Sequence, residues 1–219
     1  STSASPKPVY NKVEIPRGGE YALVLSDGTK VHLNSMSSLR FPVAFSTGKR
    51  EVELQGEAYF EVSKTGQPFI VNANGMQVEV LGTTFNISAY PDEEYQTTLV
   101  NGSVKVSAEK GESLILKPSQ QATIALGSNS IQVRTVDTSF YTSWVKGKIN
   151  FKDQRLEDIM KTLSRWYDMN VVYENEKLKN IRFGCNLNRY EEITPFVKLL
   201  EKTEEVHVKI EGNTITFHN

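Results

Sequence analysis

The chain has 219 residues, 38% of them hydrophobic and 23% charged, and its 25 Lys and Arg nearly balance 26 Asp and Glu for a formal charge of -1. This fits a globular protein with one sizeable core or two modest ones, two being the better expectation, and gives no electrostatic ground for nucleic acid or an anionic membrane as partner. The single cysteine, Cys185, excludes an intramolecular disulfide, and no apolar run approaches the roughly 20 residues that span a bilayer.

"STSASPKPVYNK" opens the chain without periodicity, so residues 1–17 read as a tether. From Gly18 to about Val136 the pattern is that of short strands. "YALVL" and "KVHL" flank Asp27-Gly28, a preferred pair for a two-residue hairpin turn. A second hairpin is expected at Asn101-Gly102, with Leu99 opposite Val104 and Thr97 opposite Val106. "EVEL", "EAYFEV", "PFIV", "QVEVL" and "TTFNISAY" lie between them, and "SLILK" and "QATIAL" follow around Pro118. The apolar phase shifts at Gly82, from Val78 and Val80 to Phe85, Ile87 and Ala89, which predicts a bulge or bend there. Many short strands without an intervening helix imply a sandwich, a barrel or a solenoid-like stack.

Near Asp137 the period changes. Leu156, Ile159, Met160, Leu163, Trp166 and Tyr167 trace one face of a helix, with Asp153 as its expected N-cap. "MNVVYE" and "IRFGCNLN" read as strands, and Ile193, Phe196, Val197 and Leu200 repeat the first helical stripe 37 positions later. The same offset carries Val171 onto Val208, which predicts a duplicated strand-helix-strand unit. Pro195 falls in the first turn of the second helix, whose start is expected near Glu192. A closing hairpin around Gly212-Asn213 sets Ile210 opposite Ile215 and Val208 opposite Phe217. The organisation is therefore a tether over 1–17, an all-β domain over 18–137, a connection over 138–146 and a small α+β domain over 147–219.

Few residues invite chemistry. Glu57 and Glu61 in "QGEAYFEVS" read as a strand's outer face, because Ala58, Phe60 and Val62 alternate with them as the core face. On one strand the two Cα atoms would stand roughly 13 Å apart, wider than a glycosidase pair. His32, His207 and His218 match no metal-ligand spacing, although His207 and His218 flank the closing hairpin as potential neighbours. Cys185 alternates with Phe183 and Leu187 and reads as a small buried thiol. No nucleophile elbow, phosphate loop or dinucleotide fingerprint occurs, so no catalytic, cofactor-binding or metal-ligating set is assigned. Phe140, Tyr141 and Trp144 are expected to pack between the domains.

Several segments in order resemble the FecR family of anti-sigma regulators: "LSDGTKVHLNSMSSLRFP", "REVELQGEAYFEVSK", "PFIV", "VEVLGTTFNISAY", "TTLVNGSVKV" and "SWVKGKINFKDQRLEDIMKTLSRWYDMNVVYEN". The resemblance covers about Glu14 to Phe217. It implies the periplasmic region of a single-pass inner-membrane protein, whose C-terminal domain is similar to the short N-terminal domain of secretins and TonB-dependent receptors. The implied partners are the periplasmic signalling domain of a TonB-dependent outer-membrane transducer and an extracytoplasmic-function sigma factor. The latter would be bound through a cytoplasmic segment, and the membrane crossed by a helix, that this chain lacks. Docking is expected within 147–219 on a free edge of the small sheet, with "IRFGCNLN" and "TITFHN" as candidate edges and Tyr173, Arg182 and Phe183 as contact residues. The alternative is a periplasmic carbohydrate-binding or glycan-processing β domain.

Overall fold

The computed structural model describes residues 8–219. They form two units, one running to Pro16 and resuming over Glu20–Tyr141, the other made of Arg17–Gly19 and Thr142–Asn219. The first seven residues of the expected tether lie outside the described residues. Its latter part is not a tether, because Tyr10–Glu14 is a strand, β1, paired antiparallel with Ser38–Pro42.

The first unit continues with β2 (Tyr21–Val24), β3 (Lys30–Leu33), β4 (Ser38–Pro42), β5 (Arg50–Glu61), β6 (Phe69–Ala73) and β7 (Met76–Val80). β8 (Thr84–Ala89), β9 (Tyr95–Asn101), β10 (Val104–Ser107), β11 (Ser113–Leu116), β12 (Gln120–Ile124) and β13 (Gln132–Thr135) complete it. All thirteen join one curled sheet whose two leaves share β5. One leaf runs β1-β4-β5-β6-β7-β10-β11 and uses the first half of β5. The other runs β2-β3-β5-β8-β9-β12-β13 and uses Gly56–Glu61. The expectation of a mainly β fold holds.

Gly56 makes this sharing possible. It stands inside one continuous strand, and its φ is +88°. A Cβ there would lie 2.8 Å from Ser37 Cα, so only glycine lets the chain bend from one leaf into the other. Val52, Leu54, Ala58 and Phe60 face the core from both halves, the alternation expected of a strand buried on one face. Phe60 stacks on Phe85 within its leaf, with centroids 5.1 Å apart, and meets Phe69 of the opposite leaf edge-on at 6.1 Å.

Two turns differ from expectation, and the bend expected at Gly82 is present. The β2–β3 loop closes through Gly28 N–H donating to the Leu25 carbonyl at 2.9 Å with Gly28 at φ +85°, a longer turn than a two-residue one. Asn101-Gly102 joins no hairpin: β9 pairs with β8 and β12 in one leaf, β10 with β7 and β11 in the other. Leu99, Val104 and Val106 are buried as expected, but from opposite leaves. The phase change at Gly82 is likewise a bend carrying the chain from β7 in one leaf to β8 in the other.

A single helical turn, α1 (Ser139–Thr142), and a 3-10 turn at Ser143–Lys146 lead into the rest. There follow β14 (Lys148–Arg155), α2 (Leu156–Trp166), β15 (Asn170–Tyr173), a 3-10 turn at Glu176–Asn180, β16 (Arg182–Asn188), α3 (Thr194–Glu201), β17 (His207–Glu211) and β18 (Thr214–His218). β14 and β16 pair antiparallel by themselves, while β18 lies between β15, parallel to it, and β17, antiparallel. The hairpin register is as expected, with Val208 opposite Phe217 and Ile210 opposite Ile215. Leu156, Ile159, Met160, Leu163, Phe196, Leu200, Ile215 and Phe217 form this unit's core.

Both helices carry Pro or acids at their start. Pro195 sits in the first turn of α3, where its missing N–H costs nothing. α2 begins directly after β14 without a side-chain cap, and Glu157 and Asp158 complement its N-terminal dipole. Asp153 is not the cap: it lies in a bulge of β14 at φ +49°, held by Arg182.

Candidate functional site

The three expected contact residues occupy different environments. Phe183 is 8% exposed and belongs to the core. Arg182 is at the surface, where its Nε donates to Asp153 Oδ1 at 2.8 Å. Tyr173 is half-buried with its ring stacked on Phe217, centroids 5.3 Å apart, and Lys179 Nζ lies 5.4 Å from the ring centre. Burial, then the charges of Glu157 and Asp158, push the Tyr173 hydroxyl above the ordinary tyrosine range, so it stays neutral.

Around Tyr173 and Arg182 runs a rim of paired charges. Arg155, register partner of Arg182 across the β14–β16 ladder, donates to Glu157 at 2.8 Å and to Asn180 Oδ1 at 3.1 Å. Lys179 pairs with Glu176 at 2.7 Å and lies 3.9 Å from Glu157. Such exposed pairs orient side chains and contribute little stability, the typical value being about 0 to 1 kcal/mol each.

The edges differ from one another. "TITFHN" is not an edge, because β18 is the central strand of three. β16 pairs with β14 alone. Arg189 N–H donates to the Gly147 carbonyl at 2.7 Å just beyond one end of that ladder, and Leu156 N–H donates to the Ile181 carbonyl at 2.8 Å beyond the other. Antiparallel geometry then points the backbone groups of Phe183, Cys185 and Leu187 toward β14, and those of Arg182, Gly184, Asn186 and Asn188 away from it. Both ends give the same parity because the bulged residues lie on β14, not β16.

Other candidates resolve into structure. His207 and His218 are cross-strand neighbours with ring centroids 5.6 Å apart. Glu201 accepts from Val208 N–H at 2.6 Å and lies 3.0 Å from His207 Nδ1, and these bonds, His207's first, hold its carboxyl below the usual range. Cys185 is half-buried, its thiol pushed up to about 11 by burial, which suits an inert side chain. Among the described residues no group of three or more His, Cys, Asp or Glu is placed to hold a metal ion. Glu57 and Glu61 form no acid/base pair, since Glu57 accepts from two asparagines and Glu61 lies 3.9 Å from Lys30.

The comparisons with known proteins fall on these two units. The FecR protein family model matches residues 11–105, and the model of the FecR C-terminal region matches residues 148–217. The chain belongs to the FecR family. Two crystal structures of a candidate anti-sigma factor from Parabacteroides distasonis, at 1.65 Å and 2.50 Å resolution, each superpose on this FecR chain with a TM-score of 0.87 at 25% identity. They cover 95% and 96% of this chain and 99% of their own. The comparison with curated proteins returned no match. FecR proteins are membrane-anchored regulators of the anti-sigma kind, a regulatory and non-enzymatic class. Among the described residues no helix is long and apolar enough to cross a membrane.

The FecR signature residues prove to be fasteners. In "SDGTKVHLN", Asp27 accepts from Thr29 N–H at 2.9 Å and Thr29 Oγ1 at 2.7 Å, and Asn34 Nδ2 donates to Glu57 Oε2 at 2.8 Å. Sequence reasoning missed Arg50, which is fully buried and donates to Asp27, Ser63 and Gln67. The available signal was phase: Arg50 shares the even-numbered inward positions of Val52 and Leu54.

Proposed function

We propose that this chain is the periplasmic sensor region of an inner-membrane anti-sigma regulator. It receives a signal from the periplasmic signalling domain of a TonB-dependent outer-membrane transducer. The signal passes to an extracytoplasmic-function sigma factor through a cytoplasmic segment of the regulator distinct from these residues. The supporting observation is that the FecR C-terminal region, residues 148–217, coincides with a unit carrying β16, a strand paired along one side only. An open edge suits docking.

Tyr173 and Arg182 remain the proposed surface contacts, with Phe183 supporting them from the core. The test is calorimetric titration of the whole chain with the purified signalling domain of the transducer encoded beside it. A one-to-one complex is expected, and absence of binding up to about 100 μM would sink the reading.

A further inference from the structure

The edges of the second unit differ in how far they are closed to another chain. β14 is interrupted by its bulge at Asp153, flanked by the 3-10 turn at Ser143–Lys146 and paired on its other side with β16. β15 has four residues and lies beside the 3-10 turn at Glu176–Asn180. On β17, pairing of Val208 with Phe217 points the Val208 N–H to the free side, where Glu201 Oε1 already accepts it at 2.6 Å. Lys209 and Glu211 add charges along the same strand, the usual device against strand addition.

β16 has none of these protections over its middle. It is seven residues long, regular on its own side of the bulge, and its outward-pointing residues Arg182, Gly184 and Asn186 present a single charge already engaged by Asp153. At the far end the Asn188 carbonyl accepts from the Tyr167 hydroxyl at 3.1 Å and from Glu191 N–H at 3.1 Å, which closes the row there. What remains is a row of backbone N–H and C=O groups at residues 182, 184 and 186, spaced two residues apart. Only another extended backbone matches such a row group for group.

We infer that β16 is a strand-addition site, and that its occupant is an extended segment of the transducer's signalling domain pairing with Arg182, Gly184 and Asn186. This rests on the docking reading above and specifies its geometry. Recognition is carried by main-chain hydrogen bonds, so it tolerates sequence variation in the partner. Arg182 and Tyr173 stand at one end of the new ladder.

The outward direction of the Asn186 N–H supplies the test. Asn186→Pro removes that donor without removing a bond to β14, whereas Asn186→Ala keeps it. Titration of both full-length variants with the purified signalling domain, beside thermal melts, should show unchanged melting for both, wild-type affinity for Asn186→Ala and more than about tenfold weaker binding for Asn186→Pro. Should Asn186→Pro fail to fold, Asn186→Lys places a charge on the same edge with the backbone unaltered, and the same loss is expected. Wild-type affinity in the folded Pro or Lys variants overturns strand addition while leaving docking itself intact. No binding by the unaltered chain overturns both.

Discussion

Arg50 Nη1 donates to Asp27 Oδ2 at 2.6 Å, and the two side chains are 1% and 7% exposed. The same guanidinium also donates to the carbonyls of Ser63 at 2.8 Å and Gln67 at 2.6 Å, so one side chain ties the β2–β3 loop to the segment that leaves β5. Its Nε has no partner, and the guanidinium carbon lies 5.3 Å from the centre of the Phe69 ring. Asp27→Ala would leave a buried cation uncompensated. The expected loss is about 3 to 5 kcal/mol, read by chemical denaturation.

Glu57 and Glu61 share a face but not a role. Glu57 Oε2 and Oε1 accept from Asn34 and Asn86 at 2.8 and 2.9 Å, and those asparagines are 2% and 3% exposed. Glu57→Ala takes one acceptor away from each of two buried amides and should cost about 1 to 3 kcal/mol, whereas Glu61→Ala should stay within about 0.5 kcal/mol. Equal stabilities for the two variants in denaturant titrations would contradict the assigned network.

Phe60 is fully buried between Phe85 and Phe69. Phe60→Ala should destabilise by about 3 to 5 kcal/mol. Gly56→Ala should also destabilise, since the new Cβ meets Ser37 at a positive φ, while Gly111→Ala, also at a positive φ but facing open space, should cost less. Melting temperatures of the three variants check both the phase of β5 and the place of its bend.

The Glu201 carboxylate is depressed by His207 first and the Val208 N–H second. A depressed carboxylate stabilises fully above its unfolded pKa and loses that contribution as pH falls through its folded one. Acidification below the ordinary glutamate range should therefore lower the melting temperature of the native chain more than that of Glu201→Gln. Hydrogen exchange at Val208 should rise over the same interval. A parallel decline of both proteins would contradict the assignment.

These cases also show where the sequence was legible. The closing hairpin was readable to the residue because a two-residue loop fixes register, and only one pairing sets Val208 and Phe217, and Ile210 and Ile215, on the same face of the sheet. Asn101-Gly102 has the same local grammar, yet it crosses between leaves. Leu99 and Val104 point inward in either arrangement, so no local signal separates a hairpin from a crossover. The unity of β5 was hidden for a related reason, since Gly56 reads as a boundary when its neighbours are unknown. "IRFGCNLN" does form an edge strand, β16, but "TITFHN" reads equally well as one when its parallel partner, β15, is unknown. Glu57 could not be recognised as a hub, because Asn34 and Asn86 reach it from other strands.

Hydrogen exchange of the whole chain, free and in complex with the transducer's signalling domain, tests the account most directly. It predicts slowed exchange concentrated in residues 182–188, at the outward amides of Gly184 and Asn186 above all, with the strands of residues 20–141 unchanged. Protection confined to residues 20–141, with β16 exchanging as in the free chain, would contradict it.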